Sequence, residues 1–494
     1  MDVTKFSSWS ASPRSAPRAS LPAWLVAGLV AATPIVAFAQ AGEALPAAPS
    51  AVVRPLVLSG VSIPREQPGS LGLTLDQAIS TALQNNTELT LRQQQEKYVH
   101  GQTLAVGSAL APNLSLQAYS RAQEINLAAM GFKSGSVKVP GFSGSIPTIV
   151  KVNTSDVQLN LSQTVFNVPA FFLFSAARKA VEAANWATLT ARGTVVLNTG
   201  ALYLKALADE AQTRNSQALL AQDQLVFEHA RASRDAGVGV NIDVLRAQVQ
   251  LQNEQQQVIR TGNAVAEDKI QLNREMNQPA GQQLDLIDTV PFAELAELPL
   301  DQALQTAYVH RKDLRGLEAQ LVVAEKTQQA VKYERLPTLG FGGFYGVLGE
   351  TTGLYHGVFA AEGFVSVPVF QEATLRGQKE VAAAQVNALR NQIASERKSI
   401  EAEIRSSMLD VESSRELVNV ARSNVDLSRQ GLSDATDRFT AGVSDDLEVV
   451  RAQATLEGAQ AQLVQSEFQY NYAKLTLARN TGVVETQYQH YLGR

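Results

Sequence analysis

Two acidic residues at matching places in a repeated block are the first groups in this chain that could act on a solute. Asp243 follows Ala236, Gly237 and Val238 and opens the run Asp243, Val244, Leu245, Arg246, Ala247, Gln248. Glu448 follows Ala441, Gly442 and Val443 and opens Glu448, Val449, Val450, Arg451, Ala452, Gln453, with Asp445 and Asp446 just ahead of it. Crowded carboxylates favour cations, repel anions, raise one another's pKa and can take up divalent ions. The plainer reading stays open: an acid in the first turn of a helix is worth about 0.3–1 kcal/mol against the helix dipole.

Other chemistry is sparse. The 494 residues include no Cys, which excludes disulfides, thiolate metal sites, Cys nucleophiles and a lipid anchor on an N-terminal Cys. His100, His229, His310, His356 and His490 are scattered without metal-ligand spacing and read as surface or packing residues. The run Gly340, Phe341, Gly342, Gly343 lacks the following helix of a phosphate loop, and no nucleophile elbow or zinc-binding helix motif occurs. No catalysis, cofactor or metal is therefore expected. The formal charge of -5 argues against a nucleic-acid partner.

The elements that position the acids come from an internal duplication. Leu75, Asp76, Gln77, Ala78 returns as Leu300, Asp301, Gln302, Ala303, and the same offset carries Glu88 and Leu89 onto Asp313 and Leu314, and Pro112 onto Pro337. The Gly237 and Gly442 blocks follow an offset roughly twenty residues smaller, so the first half holds an insertion after Pro112. Two copies are too few for a solenoid. The divisions read as a signal peptide over 1–39, a Pro/Ala-rich segment over 40–72, a first repeat over 73–280, a linker over 281–297, a second repeat over 298–482 and a tail over 483–494. Lys5, Arg14 and Arg18 before an apolar run, then Ala37, Phe38, Ala39, give the leader its export pattern, with Gln40 as the expected mature start.

Each repeat contains a long helical run, about 169–235 and about 372–440, with no Pro after the first residue, which at 1.5 Å per residue extends about 100 Å. In the second, Ile404, Val411, Val418, Val425 and Leu432 stand seven apart, with Ser407, Ser414, Ala421 and Ser428 three positions after the first four. That heptad of large and small layers predicts a coiled-coil array. Shorter helices are expected over 76–109, 301–335, 242–277 and 447–480, which makes the Gly237 and Gly442 blocks hairpin tips.

Four segments alternate instead. Leu114, Leu116, Ala118 interleave with Asn113, Ser115, Gln117, and Val157, Leu159, Leu161 with Gln158, Asn160, Ser162. Leu339 and Phe341, and then Phe359, Ala361, Gly363, Val365 and Val367, repeat the pattern in the second half. Period two with one apolar face marks strands between two environments. Glu362 is expected to face water, and the first hairpin, roughly 121–153 with Lys133, Lys138 and Lys151, to be a long outer loop that plugs, gates or shields a pore. Four strands cannot close a barrel, whereas three copies would supply twelve.

Taken together, the duplicated Leu-Asp-Gln-Ala starts, Pro112 and Pro337 before each first strand, the segments 161–166 (LSQTVF) and 365–370 (VSVPVF) and the Ala-Gly-Val tips resemble the TolC-like outer membrane efflux proteins over nearly all of the mature chain. The resemblance implies a mainly α fold: a homotrimer sharing one 12-stranded barrel in outer-membrane lipid, continued into the periplasm by a tunnel of twelve helices. It implies an exit duct for tripartite efflux or type I secretion, served by a periplasmic adaptor (membrane fusion) protein and an inner-membrane transporter. Gly237, Val238, Gly442 and Val443 match the tips that an adaptor engages. Asp243 and Glu448, with Asp445 and Asp446 near them, match the closed periplasmic entrance. One departure is Arg451, where some relatives carry a further acid; it could pair with Glu448 or with an acid of a neighbouring chain. The competing class is a soluble periplasmic coiled-coil adaptor or scaffold, but an adaptor has one helical hairpin where this chain has two, each with its own strands.

Overall fold

The computed structural model describes residues 69–131, 148–288, 292–351, 353–441, 443 and 446–493, and the leader with most of the segment after it lies outside them. The first repeat runs β1 (Leu71–Leu73), α1 (Leu75–Asn85), α2 (Thr87–Gly107), β2 (Asn113–Asn126), β3 (Ile149–Phe166), α3 (Val168–Asp235) and α4 (Asn241–Glu275). The second runs β4 (Leu284–Leu286), α5 (Leu300–His310), α6 (Lys312–Lys332), β5 (Thr338–Glu350), β6 (Tyr355–Ser366), α7 (Glu372–Thr440), α8 (Asp446–Asn480) and α9 (Val484–Leu492).

The long helices stand where the sequence puts them, at 68 residues for α3 and 69 for α7. Asn167 caps α3 by accepting from the Ala170 N–H at 2.9 Å, and Pro169 occupies its first turn, where a missing N–H costs nothing. The heptad of α7 buries Ile404, Ser407, Ser414, Val418, Ala421 and Val425, the small layers letting neighbouring helices approach closely.

The expected helices 76–109 and 301–335 are each broken in two. Asn86 and Arg311, equivalent in the duplication, both take an extended ψ, 130° and 117°, between helical neighbours. Asn86 caps α2 through the N–H groups of Glu88 and Leu89 and donates to the Glu275 carbonyl at 2.9 Å. Arg311 holds its break differently. Its guanidinium is buried and meets Asp313 at 2.5 Å, Glu403 at 2.5 Å and Glu396 at 3.3 Å. Burial alone would raise the Asp313 carboxyl, but the Arg311 charge outweighs it and holds that group below the usual carboxylate range.

The core sits at this level. Leu73, Leu75, Ile79, Val196, Tyr203, Leu207, Leu272, Leu475, Val484 and Leu492 form one apolar cluster, and Ala303, Leu314, Ile400 and Ile404 a second. The expected linker is partly ordered structure, because β4 pairs in parallel with β1. Lys474 Nζ donates to the Ala293 carbonyl at 2.9 Å, and Arg422 lies 3.6 Å over the Phe292 ring, fastening the rest of that segment to α7 and α8. The expected C-terminal tail is the helix α9, with Val484, Tyr491 and Leu492 buried.

The second sheet is antiparallel in the order β2-β3-β5-β6. Its strands of 14, 18, 13 and 12 residues exceed the roughly 9–11 residues that cross a bilayer. The first hairpin loop is accordingly shorter than expected: residues 121–126 and 149–153 are paired strand, and Lys151 meets Glu124 across the ladder at 2.8 Å. Lys133 and Lys138 lie outside the described residues.

Register assigns the faces. One carries Leu114, Leu116, Ala118, Leu161, Leu159, Val157, Tyr345, Val347, Phe359 and Val365; the other carries Gln117, Tyr119, Arg121, Asn160, Gln158, Asp156, His356 and Glu362. On the polar face the Tyr119 hydroxyl donates to Asp156 at 2.8 Å. The apolar face is bare, with Leu116 71%, Tyr345 69% and Phe359 79% exposed. In water such a face would be a core left open.

A charge on the bare face should be costly and one on the other face tolerated. Leu159→Arg should cost about 2–4 kcal/mol in urea titrations of protein folded into lipid vesicles, and Gln158→Arg should stay within about 1 kcal/mol of wild type. At the repeat junction, Arg311→Ala takes the guanidinium from Asp313 and Glu396, leaves Glu403 with Arg479 alone, and should lower stability by about 3 kcal/mol in the same titration.

Candidate functional site: the helix tips and the open edges

Both hairpins turn by the same backbone device. In the first, the N–H groups of Val238 and Gly239 donate to the Ser233 carbonyl at 3.1 and 3.0 Å, with Gly237 at φ 78°. That left-handed conformation suits glycine, which has no Cβ to clash. In the second, the Val443 N–H donates to the Arg438 carbonyl at 3.0 Å. Arg438 and Ser233 are equivalent in the duplication, so the turn was copied with the sequence. Val238 is 84% exposed and Val443 72% exposed. Gly442 and Asp445 lie outside the described residues, as does the Asp446 side chain at the start of α8.

The tips lie at one end of the molecule, since α3 and α7 have nearly equal length and both leave the same sheet. The His229 and Phe439 rings meet edge to face at 6.5 Å, which joins the two hairpins just above the turns. His229 is thus a packing residue.

Each expected gate acid has a cation of its own chain beside it. Asp243 lies 3.7 Å from Arg246, one turn along α4, and Glu448 lies 2.8 Å from Arg438 on α7. All four side chains are about a third or more exposed, so neither pair is a large source of stability. Among the described residues Glu448 takes Arg438, and not Arg451, as its partner within the chain. Arg451 is exposed on the next turn of α8. Asp243 and Glu448 do not pair with each other inside one chain; what they share is a position, each in the first turn of a return helix.

Above the tips the chain forms three open layers. The sheet ends on β2 and β6. Helices adjoin in the order α2-α3-α6-α7 near the sheet and α4-α3-α8-α7 near the tips. The edge helices carry exposed apolar stripes: Leu91, Tyr98 and Leu104 on α2; Ile242, Leu245, Val249 and Ile259 on α4; Leu409, Val420 and Leu427 on α7. The heptad reading of the sequence missed these stripes, because it followed the inward layers of α7 only. Among the described residues no helix is long and apolar enough to cross a membrane.

The chain matches the family model for outer membrane efflux proteins over residues 78–278 and 303–483, one segment in each repeat. No curated protein sequence matches it. Among solved structures it resembles the outer-membrane channel OprN at TM-score 0.70 and 17% identity, over 83% of this chain and 89% of that one. The Campylobacter jejuni CmeC outer membrane channel aligns at TM-score 0.71 and 14% identity, over 83% and 86%. The Neisseria gonorrhoeae MtrE outer membrane channel, described in its open state, aligns at TM-score 0.68 and 18% identity, over 83% and 89%. At these identities the structures establish the fold, and the family match, which takes in most of both repeats, places this chain in the outer membrane efflux protein family.

Proposed function

We propose that three copies of this chain close one continuous duct. The observation that carries the reading is the coincidence of open edges: β2 with β6, α2 with α7 and α4 with α7 are each a first and a last element of an unfinished layer. Pairing β6 of one copy with β2 of the next gives a twelve-stranded barrel whose bare apolar face meets lipid and whose polar face, with Asp156, Gln158 and Glu362, lines the water. A closed barrel satisfies every backbone group in the hydrocarbon. The same rotation packs α7 against the neighbour's α2 and α4 and continues the barrel as a helical tunnel through the periplasm. Such a duct does no chemistry; the work of transport belongs to an inner-membrane pump in a tripartite efflux or type I secretion system.

The tips close that duct and dock its partner. On the threefold axis Asp243 and Glu448 contribute six carboxylates to a constriction, with Asp445 and Asp446 adding charge near the second tip and Arg451 free to reach a neighbouring chain. Val238 and Val443, each beside a glycine, form apolar knobs for a periplasmic adaptor, whose binding parts the hairpins.

Two measurements test the two roles. In planar bilayers the wild-type protein should give small, cation-selective steps that grow several-fold in Asp243→Ala/Glu448→Ala; equal conductance removes these acids from the gate and leaves the duct. Val238→Asp/Val443→Asp should still assemble trimers but lose transport in cells carrying the cognate adaptor and pump, and full transport by that variant contradicts the docking role.

A further inference from the structure

Three acids lie where the two hairpins pack, near enough for the charge of Glu457 to act on the other two. Asp223 on α3 and Glu254 on α4 belong to the first hairpin, and Glu457 on α8 to the second. Each lies a similar number of residues from its own turn, which puts all three roughly 20 Å above the tips at 1.5 Å per residue. Asp223 and Glu254 are 4% and 2% exposed. Their polar surroundings are unfinished: neither amide atom of Gln453 has a hydrogen-bond partner, and Glu254 faces the buried Ser216 hydroxyl. Gln453 is 3% exposed and stands one turn before Glu457 on the same face of α8.

We propose that Asp223, Glu254 and Glu457 form a proton-operated latch between the hairpins, which keeps the tips together when protonated and lets them part when ionised. The latch rests on the reading of the tips as the moving end of a duct. A protonated carboxyl donates a hydrogen bond as well as accepting one, so protons let the cluster satisfy its own buried oxygens. Ionised, the same groups are acceptors only, buried beside like charge, and the seam is relieved by letting water in.

Among the described residues the groups that act on them include no cation. The charges that bear on Asp223 and Glu254 are those of the other acids, Glu457 acting on both and Asp223 on Glu254; Gln250 hydrogen-bonds Asp223. On α3 the nearby Arg214 lies 3.8 Å from Glu210, and on α4 Arg246 turns to Asp243. On α7, which packs along α8, Arg429 at this height pairs with Asp426 at 3.7 Å, both largely exposed. Among the described residues no three His, Cys, Asp or Glu side chains are placed to hold a metal ion.

Burial pushes Asp223 up to about 6 and Glu254 up to about 7, and raises Glu457 as well. A group whose pKa is raised by packing carries no penalty in the packed state while it is protonated, and the penalty grows as pH rises through that pKa. The closed seam is therefore fully favoured below about pH 4, loses ground as pH rises toward the packed values, and carries its full penalty above about pH 7.

The cysteine-free chain allows a direct test. Val238→Cys and Val443→Cys would carry one spin label on each tip, with labelled chains diluted into unlabelled trimers so that distances within one protomer are read. Between about pH 4 and pH 8 the tip-to-tip distance distribution should lengthen and broaden, with the change complete by about pH 7. Asp223→Asn/Glu254→Gln/Glu457→Gln should stay short at every pH. A flat wild-type profile, or the same pH response in the neutral variant, overturns the latch. If the triple variant does not assemble, Glu254→Gln alone must at least halve the response, and an unchanged response overturns the proposal equally. The gate reading fails separately: a pH-responsive distance with unaltered conductance in Asp243→Ala/Glu448→Ala removes the gate and keeps the latch, and the converse pair of results does the opposite.

Discussion

An unpaired strand edge is the constraint on which the rest of this molecule depends. The sheet β2-β3-β5-β6 has two free edges, which lipid does not tolerate, and one bare apolar face, which water does not. A single chain cannot remove the edges, because four strands are too few to curve into a barrel. The incompleteness extends down the whole chain, since the helical layers below the sheet end on α2, α4 and α7 with apolar stripes exposed. One act of association completes all three layers, so membrane insertion and tunnel formation are a single assembly problem.

The packing is unevenly distributed along the helices, as the proposed opening of a duct at one end would require. Tyr203, Leu207, Leu272, Leu475 and Leu492 join both repeats in one buried cluster near mid-length, with Arg311 and its acids beside it. Gly482, at φ 79°, lets the turn between α8 and α9 lie directly on the backbone of His310 and Arg311, where a Cβ would collide. Toward the tips the buried apolar residues lie outside that cluster, among them Val244, Leu251, Val449 and Leu456, together with the contact of His229 with Phe439 and the buried acids at the α3/α8 seam. Low local stability belongs where motion is needed.

Much of this was legible in the residues, for reasons that can be named. The duplication, the heptad of α7 and the alternation in four segments are periodic signals, and periodicity is what a regular element writes into a sequence. The tips were legible because glycine in a left-handed turn is a local requirement. What stayed hidden depends on partners distant in sequence. Asn86 and Arg311 are ordinary helix residues until Glu275 or Glu403 is brought beside them, so the breaks they make gave no signal. The strands β1 and β4 are three residues each and exist through their pairing with one another. Arg451 looked like the partner of Glu448 because it stands one turn away, yet the hairpin brings Arg438 across from α7. Asp223 and Glu254 lie in Gln-rich helices that read as solvated, and only the packing of α3, α4 and α8 shows them to be buried.

The most direct test of the central claim is covalent trapping of the strand edges. The chain has no native cysteine, so Ala118→Cys on β2 can be combined with cysteines scanned over Phe359, Ala361 and Gly363, which share its face on β6. Oxidation in outer membranes should convert one of these pairs into a covalent species of three chains and no larger, resistant to heating in detergent. A chain that stays monomeric across the scan, or that forms an open ladder beyond three, would contradict closure by threefold edge pairing.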